Sequence, residues 1–201
     1  MRAFLDRLSP YLLWAVLALP GLGMAIQLTT SDDPRVEHIL LHPTGEFAAR
    51  FLIITMLASP LVLLFRHAAF PRWLKRNRRY FGVASFAYAA AHTALYLVDR
   101  GTLDRILGQL SEVDIWTGWL AFAIFIPLAA TSFDGAVRAM GTGWKSLQRW
   151  TYAAAALTLL HWASLHDWES PTAALVHFGP LVALEAYRLW YWTLRPRHRP
   201  A

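Results

Sequence analysis

The 201-residue sequence contains no cysteine. Without thiols the chain cannot form disulfides, bind metals through thiolates, hold an iron–sulfur cluster or use a sulfur nucleophile. Paired catalytic carboxylates, Ser-His-Asp sets and glycine loops that cradle phosphates are also not apparent. These absences argue against hydrolytic and group-transfer chemistry.

Charged side chains are scarce as well. They make up 16% of the residues, against about 25% in soluble domains. Hydrophobic residues reach 56%, and the mean hydropathy is +0.34. The apolar residues form blocks close to the roughly 20 residues that cross a bilayer. The composition therefore predicts an all-α membrane protein.

We predict a six-span transmembrane helix bundle that forms a single domain over residues 1–201. The first apolar block is expected to stay as a span, because no clear small-x-small cleavage site follows it. The predicted spans are roughly Tyr11–Leu28, Glu46–Phe65, Tyr80–Val98, Ile115–Phe133, Leu147–Leu165 and Thr172–Trp192.

The distribution of charge predicts the orientation of these spans. With a cytoplasmic N-terminus, only Arg35, Arg50, Arg100 and Arg105 of the 19 basic residues lie outside. Of the 13 acidic residues, only Asp6, Asp134 and Glu185 lie inside. Basic residues concentrate on the cytoplasmic side of membrane proteins. Both termini are therefore expected in the cytoplasm, and the sequence pI near 10.1 reflects topology better than nucleic-acid binding.

Two of the eight histidines lie deep inside predicted spans, where ionisable residues indicate function. His92 follows Arg79 by 13 residues and His161 follows Arg149 by 12. Both helices run outward, so each imidazole lies about 18–20 Å from the cytoplasmic start of its helix. This matched depth suits two imidazoles that ligate one haem iron. The alternative is that each histidine hydrogen-bonds a neighbouring helix.

Two further histidines, His166 and His177, are predicted near the outer surface. Either one could hydrogen-bond a haem propionate or replace an iron ligand. Alanine runs beside His92 and His161 leave room for a flat ring, although close packing of helices explains them equally well.

Four segments give the chain a resemblance to a known family: HPTGEFAARFLIITMLASPL at His42–Leu61, RRYFG at Arg78–Gly82, GWKSLQRWTY up to Tyr152 and LLHWAS at Leu159–Ser164. They resemble the MsrQ (YedZ) family, the haem-binding membrane subunits of a periplasmic methionine sulfoxide reductase system. That family belongs to the ferric reductase-like transmembrane group.

The resemblance implies a b-type cytochrome of the bacterial inner membrane, an electron-transfer subunit rather than a stand-alone enzyme. Electrons would come from the quinone pool or a cytoplasmic flavin reductase, with FMN as a further cofactor. They would leave to a periplasmic molybdenum-containing subunit that repairs methionine sulfoxide in proteins. His92 and His161 match the family's haem ligands.

One position departs from the family pattern. Gln148 stands where the family commonly has a histidine proposed to bind a second haem, so one haem is expected. Arg78 precedes His92 by 14 residues, which returns to within about 40° of the same helix face. With Arg79, it could contact a propionate, a flavin phosphate or a quinone head group.

Two other functions remain open at the level of sequence. One is a stand-alone reductase that passes electrons to ferric iron, copper or oxygen. The other is a cofactor-free membrane scaffold or small transporter, whose histidines would pack or relay protons.

Overall fold

The computed structural model describes residues 10–168 and 171–194, without the side chains of His166 and Asp167. The helices, in chain order, are α1 (Pro10–Thr30), α2 (Val36–Leu64), α3 (Ala69–Arg100), α4 (Leu103–Gly108), α5 (Val113–Ala130), α6 (Asp134–Met140), α7 (Thr142–Gln148), α8 (Thr151–Ser164) and α9 (Thr172–Leu189). A 3₁₀ turn at Leu165–Trp168 precedes α9, and a π-helical turn at Trp190–Leu194 follows it. The described part of the chain contains no strand.

Within the described residues, four helices are long and apolar enough to cross a membrane, namely α1, α2, α3 and α5. The chain is therefore a multi-pass membrane protein. The other two predicted crossings, α8 and α9, do not combine the length and apolarity of these four in the described structure. The count of six spans and the orientation of the bundle remain predictions.

Two predicted spans begin much later than the helices that contain them. The second was predicted from Glu46, but α2 begins at Val36 and places Pro43 within the helix. The third was predicted from Tyr80, but α3 begins at Ala69. In both cases polar residues extend the helix beyond its apolar stretch, so hydropathy marks the membrane-length segment rather than the helix ends.

The fifth predicted span, Leu147–Leu165, is divided in the structure. The α7 helix ends at Gln148, and α8 begins at Thr151 with only 14 residues. Between them the amides of Arg149 and Trp150 donate to carbonyls three residues back, at 3.2 and 3.0 Å. These tighter turns interrupt the α-helical ladder. Since 14 residues span about 21 Å, α8 alone is shorter than the hydrocarbon core of about 30 Å.

The bundle is built around two antiparallel helix pairs. The first pair is α2 with α3, and the second is α5 with α8. Small buried side chains let the first pair approach closely, and Ser85 of α3 donates a hydrogen bond to the carbonyl of Ala48 in α2 at 2.7 Å. Phe86 of α3 stacks on Phe122 of α5 with ring centres 5.9 Å apart, which joins the two pairs. The α9 helix packs against α2 and α8.

The α1 helix lies at the edge of the bundle and contacts α2 and α3. Its connection to α3 is made by the hydroxyl of Tyr88, which accepts from the amide of Gly21 at 2.6 Å and donates to the carbonyl of Leu17 at 2.9 Å. These two backbone groups are four residues apart and would otherwise bond each other within the helix. The Tyr88 hydroxyl is thus inserted into the backbone ladder of α1, one residue after Pro20.

Replacing Tyr88 with phenylalanine tests this insertion. Tyr88→Phe removes the hydroxyl that bonds the Gly21 amide and the Leu17 carbonyl, and both groups lie in an apolar setting. The free energy of unfolding is therefore expected to fall by about 1 kcal/mol. Thermal unfolding of the detergent-solubilised protein measures the change. Tyr11→Phe is the matched control, since Tyr11 is 85% exposed. Equal stability of the two variants would contradict the account.

The absence of native cysteine allows a direct test of orientation. Arg105 is exposed on α4 and Arg138 is exposed on α6. The variants Arg105→Cys and Arg138→Cys each introduce a single thiol at these positions. In intact spheroplasts a membrane-impermeant maleimide is expected to label position 105 at once and position 138 only after permeabilisation. The reverse pattern would show that the bundle is inverted.

Candidate functional site

His92 of α3 and His161 of α8 face each other between the two helix pairs. Their ring centres are 6.1 Å apart, and the ring planes are inclined at 78°. Two metal–imidazole bonds of about 2 Å each, with roughly 1 Å from each ring nitrogen to its ring centre, place two axial imidazoles about 6 Å apart. The sequence placed these histidines at equal depth, and the structure brings them together at the separation that one shared metal atom requires.

Both imidazoles are oriented by backbone carbonyl groups. The Nδ1 atom of His92 lies 2.9 Å from the carbonyl oxygen of Leu41, and that of His161 lies 2.5 Å from the carbonyl oxygen of Asp114. A carbonyl oxygen can only accept, so Nδ1 carries the proton in each ring. The lone pair of a neutral imidazole is then on Nε2, which is free to bind a metal.

A glycine in the opposite helix lies directly behind each imidazole. A Cβ atom at Gly45 would lie 3.1 Å from Nδ1 of His92, and one at Gly118 would lie 2.9 Å from Nδ1 of His161. Real Cβ atoms rarely approach so closely. Glycine is therefore the residue that lets each ring rest against the backbone whose carbonyl it bonds.

The space beside the two rings is an apolar cavity with about 670 Å³ of empty volume, counted up to its open mouth. Small and aromatic side chains share the lining, among them Ala48, Ala89, Ala121, Tyr96, Trp119, Phe122 and Phe125. These residues fit a flat apolar macrocycle, whose metal His92 and His161 would hold.

His166 and His177 were also predicted for the site. The contacts of His177 are with residues other than His92 and His161. Its Nδ1 lies 2.8 Å from the carbonyl oxygen of Ala173 in its own helix, and its Nε2 accepts from Arg50 at 3.4 Å. The ring also packs on Trp162, with centres 4.9 Å apart. The side chain of His166 lies outside the described residues.

Arg78, Arg79 and Gln148 meet in a second cavity, which we call the inner pocket. Its lining also includes the cations Lys75 and Arg188 and the polar aromatic residues Trp144 and Tyr152. Arg78 approaches the hydroxyl of Ser59 at 3.5 Å. The Gln148 amide donates to the carbonyl of Leu128 at 3.2 Å. The pocket is a cationic, hydrogen-bonding site at the end of the bundle predicted to be cytoplasmic.

Arg79 is held at the rim of the inner pocket by an ion pair. Its guanidinium donates to a carboxylate oxygen of Asp134 at 2.6 Å. This hydrogen bond, with the positive charges of Arg79 and Arg138, lowers the pKa of the Asp134 carboxyl below its usual range. Asp134 therefore stays ionised at neutral pH and fixes the start of α6 against α3.

Sequence reasoning missed the residues that support the two histidines. They are Thr44 and Gly45 behind His92, and Thr117 and Gly118 behind His161. The sequence gives one indication of these supporting residues. Each histidine helix packs against a helix that has a Thr-Gly dipeptide in its first half. This indication is weak, because a third Thr-Gly occurs at Thr142–Gly143.

Comparison with known proteins agrees with this architecture. Residues 44–159 match the family described as the ferric reductase like transmembrane component. No solved structure matches the chain. The matched segment runs from the threonine behind His92 almost to His161, so it contains most of the site.

Curated relatives extend the similarity to nearly the whole chain. A protein-methionine-sulfoxide reductase haem-binding subunit MsrQ from Herminiimonas arsenicoxydans is 34% identical over 91% of this chain and 86% of its own length. Proteins of the same name from Brucella ovis and Brucella canis are each 32% identical over 89% of this chain and 80% of their length. The chain accordingly belongs to the ferric reductase-like transmembrane family and, within it, to the MsrQ family.

Proposed function

We propose that this chain is a membrane b-type cytochrome that carries electrons to a periplasmic, molybdenum-containing protein-methionine-sulfoxide reductase. The observation that carries the proposal is the pair of imidazoles, 6.1 Å apart between ring centres, each of which bonds a backbone carbonyl through Nδ1. His92 and His161 would hold one haem b, which supplies a one-electron centre in the low-dielectric interior of the bundle.

The depth of the site supports an outward electron acceptor. His92 lies 8 residues before the end of α3 at Arg100, and His161 lies 3 residues before the end of α8 at Ser164. At 1.5 Å per residue, these ends are about 12 and 5 Å away along the helices. The cavity is therefore close to the face that we assign to the periplasm, where the partner would dock.

The inner pocket supports an electron source on the opposite face. Its cations Lys75, Arg78, Arg79 and Arg188 favour an anionic or strongly polarised group, such as a flavin phosphate or a quinone head group. The donor that we propose, either the quinone pool or a cytoplasmic flavin reductase, would deliver electrons at this end, where FMN would bind as a further cofactor. We place the chain in the bacterial inner membrane with both termini in the cytoplasm.

The lining of the inner pocket also bears on the number of haems. Gln148 lines the same pocket as Arg78 and Arg79, and its side-chain amide donates to the Leu128 carbonyl. An amide is a weak ligand for haem iron compared with imidazole. We therefore propose one haem per chain, in the outer site.

Removing either imidazole tests the haem site. His92→Ala and His161→Ala are each expected to reduce bound haem to less than a fifth of the wild-type value, because one axial ligand is lost. Haem per chain, measured from the Soret band and a pyridine haemochrome assay after haem-supplemented expression, gives the result. His38→Ala is the matched control, since His38 lies on the outer surface and pairs with Asp99. Unchanged haem in both variants, or two haems in the wild type, would contradict the proposal.

The electron acceptor is tested on the same preparation. Stopped-flow oxidation of the reduced cytochrome is expected to be faster with the purified molybdenum subunit than with ferric chelates. The opposite preference would instead indicate a stand-alone metal reductase. Protein that takes up no haem at all would favour a cofactor-free scaffold.

The glycines behind the histidines provide a graded test of the geometry. Gly118→Ala is expected to displace His161 and lower haem content more than Gly45→Ala displaces His92, since the new Cβ would approach to 2.9 rather than 3.1 Å. Gly179→Ala is the control, because its Cβ would meet nothing within 4 Å. The same haem titration measures all three variants, and equal haem content in them would contradict the close approach.

A further inference from the structure

The two histidines are supported in the same way, each by a threonine and a glycine of the neighbouring helix. Thr44 in α2 and Thr117 in α5 each lie three residues after the carbonyl that a histidine bonds, which belongs to Leu41 or Asp114. Each threonine is followed by the glycine that the ring rests against. The histidine helices α3 and α8 pair with α2 and α5 respectively. The site thus has an approximate internal twofold relationship, with a Thr-Gly pair behind each imidazole.

The two threonine hydroxyls donate to the same carbonyl oxygens as the histidines. The Thr44 hydroxyl lies 2.7 Å from the oxygen of Leu40 and 2.9 Å from that of Leu41. The Thr117 hydroxyl lies 2.5 Å from the oxygen of Val113 and 3.1 Å from that of Asp114. Thr44 is 3% exposed and Thr117 is fully buried. Water therefore does not replace these hydroxyls as partners of the carbonyls.

Each shared carbonyl oxygen has more donors than lone pairs. It has two lone pairs but lies within reach of the histidine Nδ1–H, the threonine hydroxyl and, by the regular helical pattern, the amide of the following glycine. Donors that compete for one acceptor weaken one another. A threonine that bonds the carbonyl more strongly leaves a weaker bond to the histidine.

The distances in the two halves follow this competition. At the Leu41 carbonyl the bonds from the threonine and from the histidine are equal, at 2.9 Å each. At Asp114 the threonine bond lengthens to 3.1 Å and the histidine bond shortens to 2.5 Å. The hydroxyl oxygen of Thr44 is also 3.4 Å from Nδ1 of His92. Thr44 therefore affects its histidine more than Thr117 does.

We propose that Thr44 and Thr117 are positioning residues that set the reduction potential of the haem by limiting how strongly the two histidines donate to Leu41 and Asp114. The inference rests on the proposed haem site. A stronger Nδ1–H···O=C bond gives the imidazole more anionic character and makes it a better donor to the metal. Better donation stabilises the oxidised metal, so the threonine hydroxyls hold the potential higher than the carbonyls alone would.

Valine tests this effect, because it keeps the shape of threonine and removes the hydroxyl. In haem-loaded protein, Thr44→Val is expected to lower the midpoint potential by about 30–60 mV, a threefold to tenfold change in the one-electron equilibrium. Thr117→Val is expected to lower it by a smaller amount. Thr44→Ser restores the hydroxyl and should return the potential to near the wild-type value. Spectroelectrochemical titration of the Soret band measures all of them.

A control from the same helix separates this effect from a general loss of threonine. Thr55 also bonds a carbonyl of α2, that of Phe51 at 2.8 Å, and none of the histidine side chains that the structure describes bonds that acceptor. Thr55→Val is therefore expected to leave the potential unchanged.

The possible outcomes distinguish this inference from the proposed function. A wild-type protein without haem would refute the proposed function. A haem-loaded Thr44→Val protein with an unchanged or raised potential would overturn the threonine inference alone. If Thr44→Val does not retain haem, Thr117→Val decides, and an unchanged potential there would overturn it. A Thr44→Ser protein that behaves like Thr44→Val would also overturn it, because the hydroxyl would then not be the cause.

Discussion

Two hydrogen bonds from imidazole to backbone determine the chemistry available inside this bundle. The carbonyl of Leu41 accepts from His92, and the carbonyl of Asp114 accepts from His161. A neutral imidazole that donates through Nδ1 has its lone pair on Nε2. The helices that supply these carbonyls, α2 and α5, are the packing partners of the helices that carry the histidines. The pairing of the helices thus fixes both the tautomer and the direction of each ring.

Other features of the bundle follow from the positions of these two imidazoles. Each ring approaches the opposite helix so closely that a Cβ atom at Gly45 or Gly118 would require the imidazole to shift. Between the helix pairs, Phe86 stacks on Phe122 and Tyr96 meets Trp119 edge to face. Tyr96, Trp119 and Phe122 also line the cavity beside the two imidazoles. The charged inner pocket is separated from it by the apolar length of the helices.

Sequence alone predicted that His92 and His161 form a pair, and their ring centres lie 6.1 Å apart in the structure. Hydropathy located the four helices that satisfy the membrane criterion, and the spacing from the basic loops placed His92 and His161 at equal depth. The family resemblance is confirmed by the family match and by the curated relatives. The apolar spans and the matched depth of the two histidines follow from local composition and from the rise of a helix, whereas the resemblance rests on the sequence motifs themselves.

The missing parts depend on contacts between distant residues. The acceptors of the histidines are backbone carbonyls. Every residue has one, so the sequence does not show which carbonyls accept. The roles of Thr44 and Thr117 depend on sharing those carbonyls, and the requirement for glycine appears only when two helices approach. The ends of α2 and α3 were missed because polar turns extend helices past the apolar stretch, and the break before α8 arises from two tightened turns at Arg149 and Trp150.

The central claim is that one iron atom binds Nε2 of His92 and Nε2 of His161. An experimental density map of the haem-loaded protein tests it most directly. We expect iron between these two nitrogens, with both Nδ1 atoms still bonded to Leu41 and Asp114. Iron ligated by any other side chain, or a porphyrin in the inner pocket alone, would contradict the account.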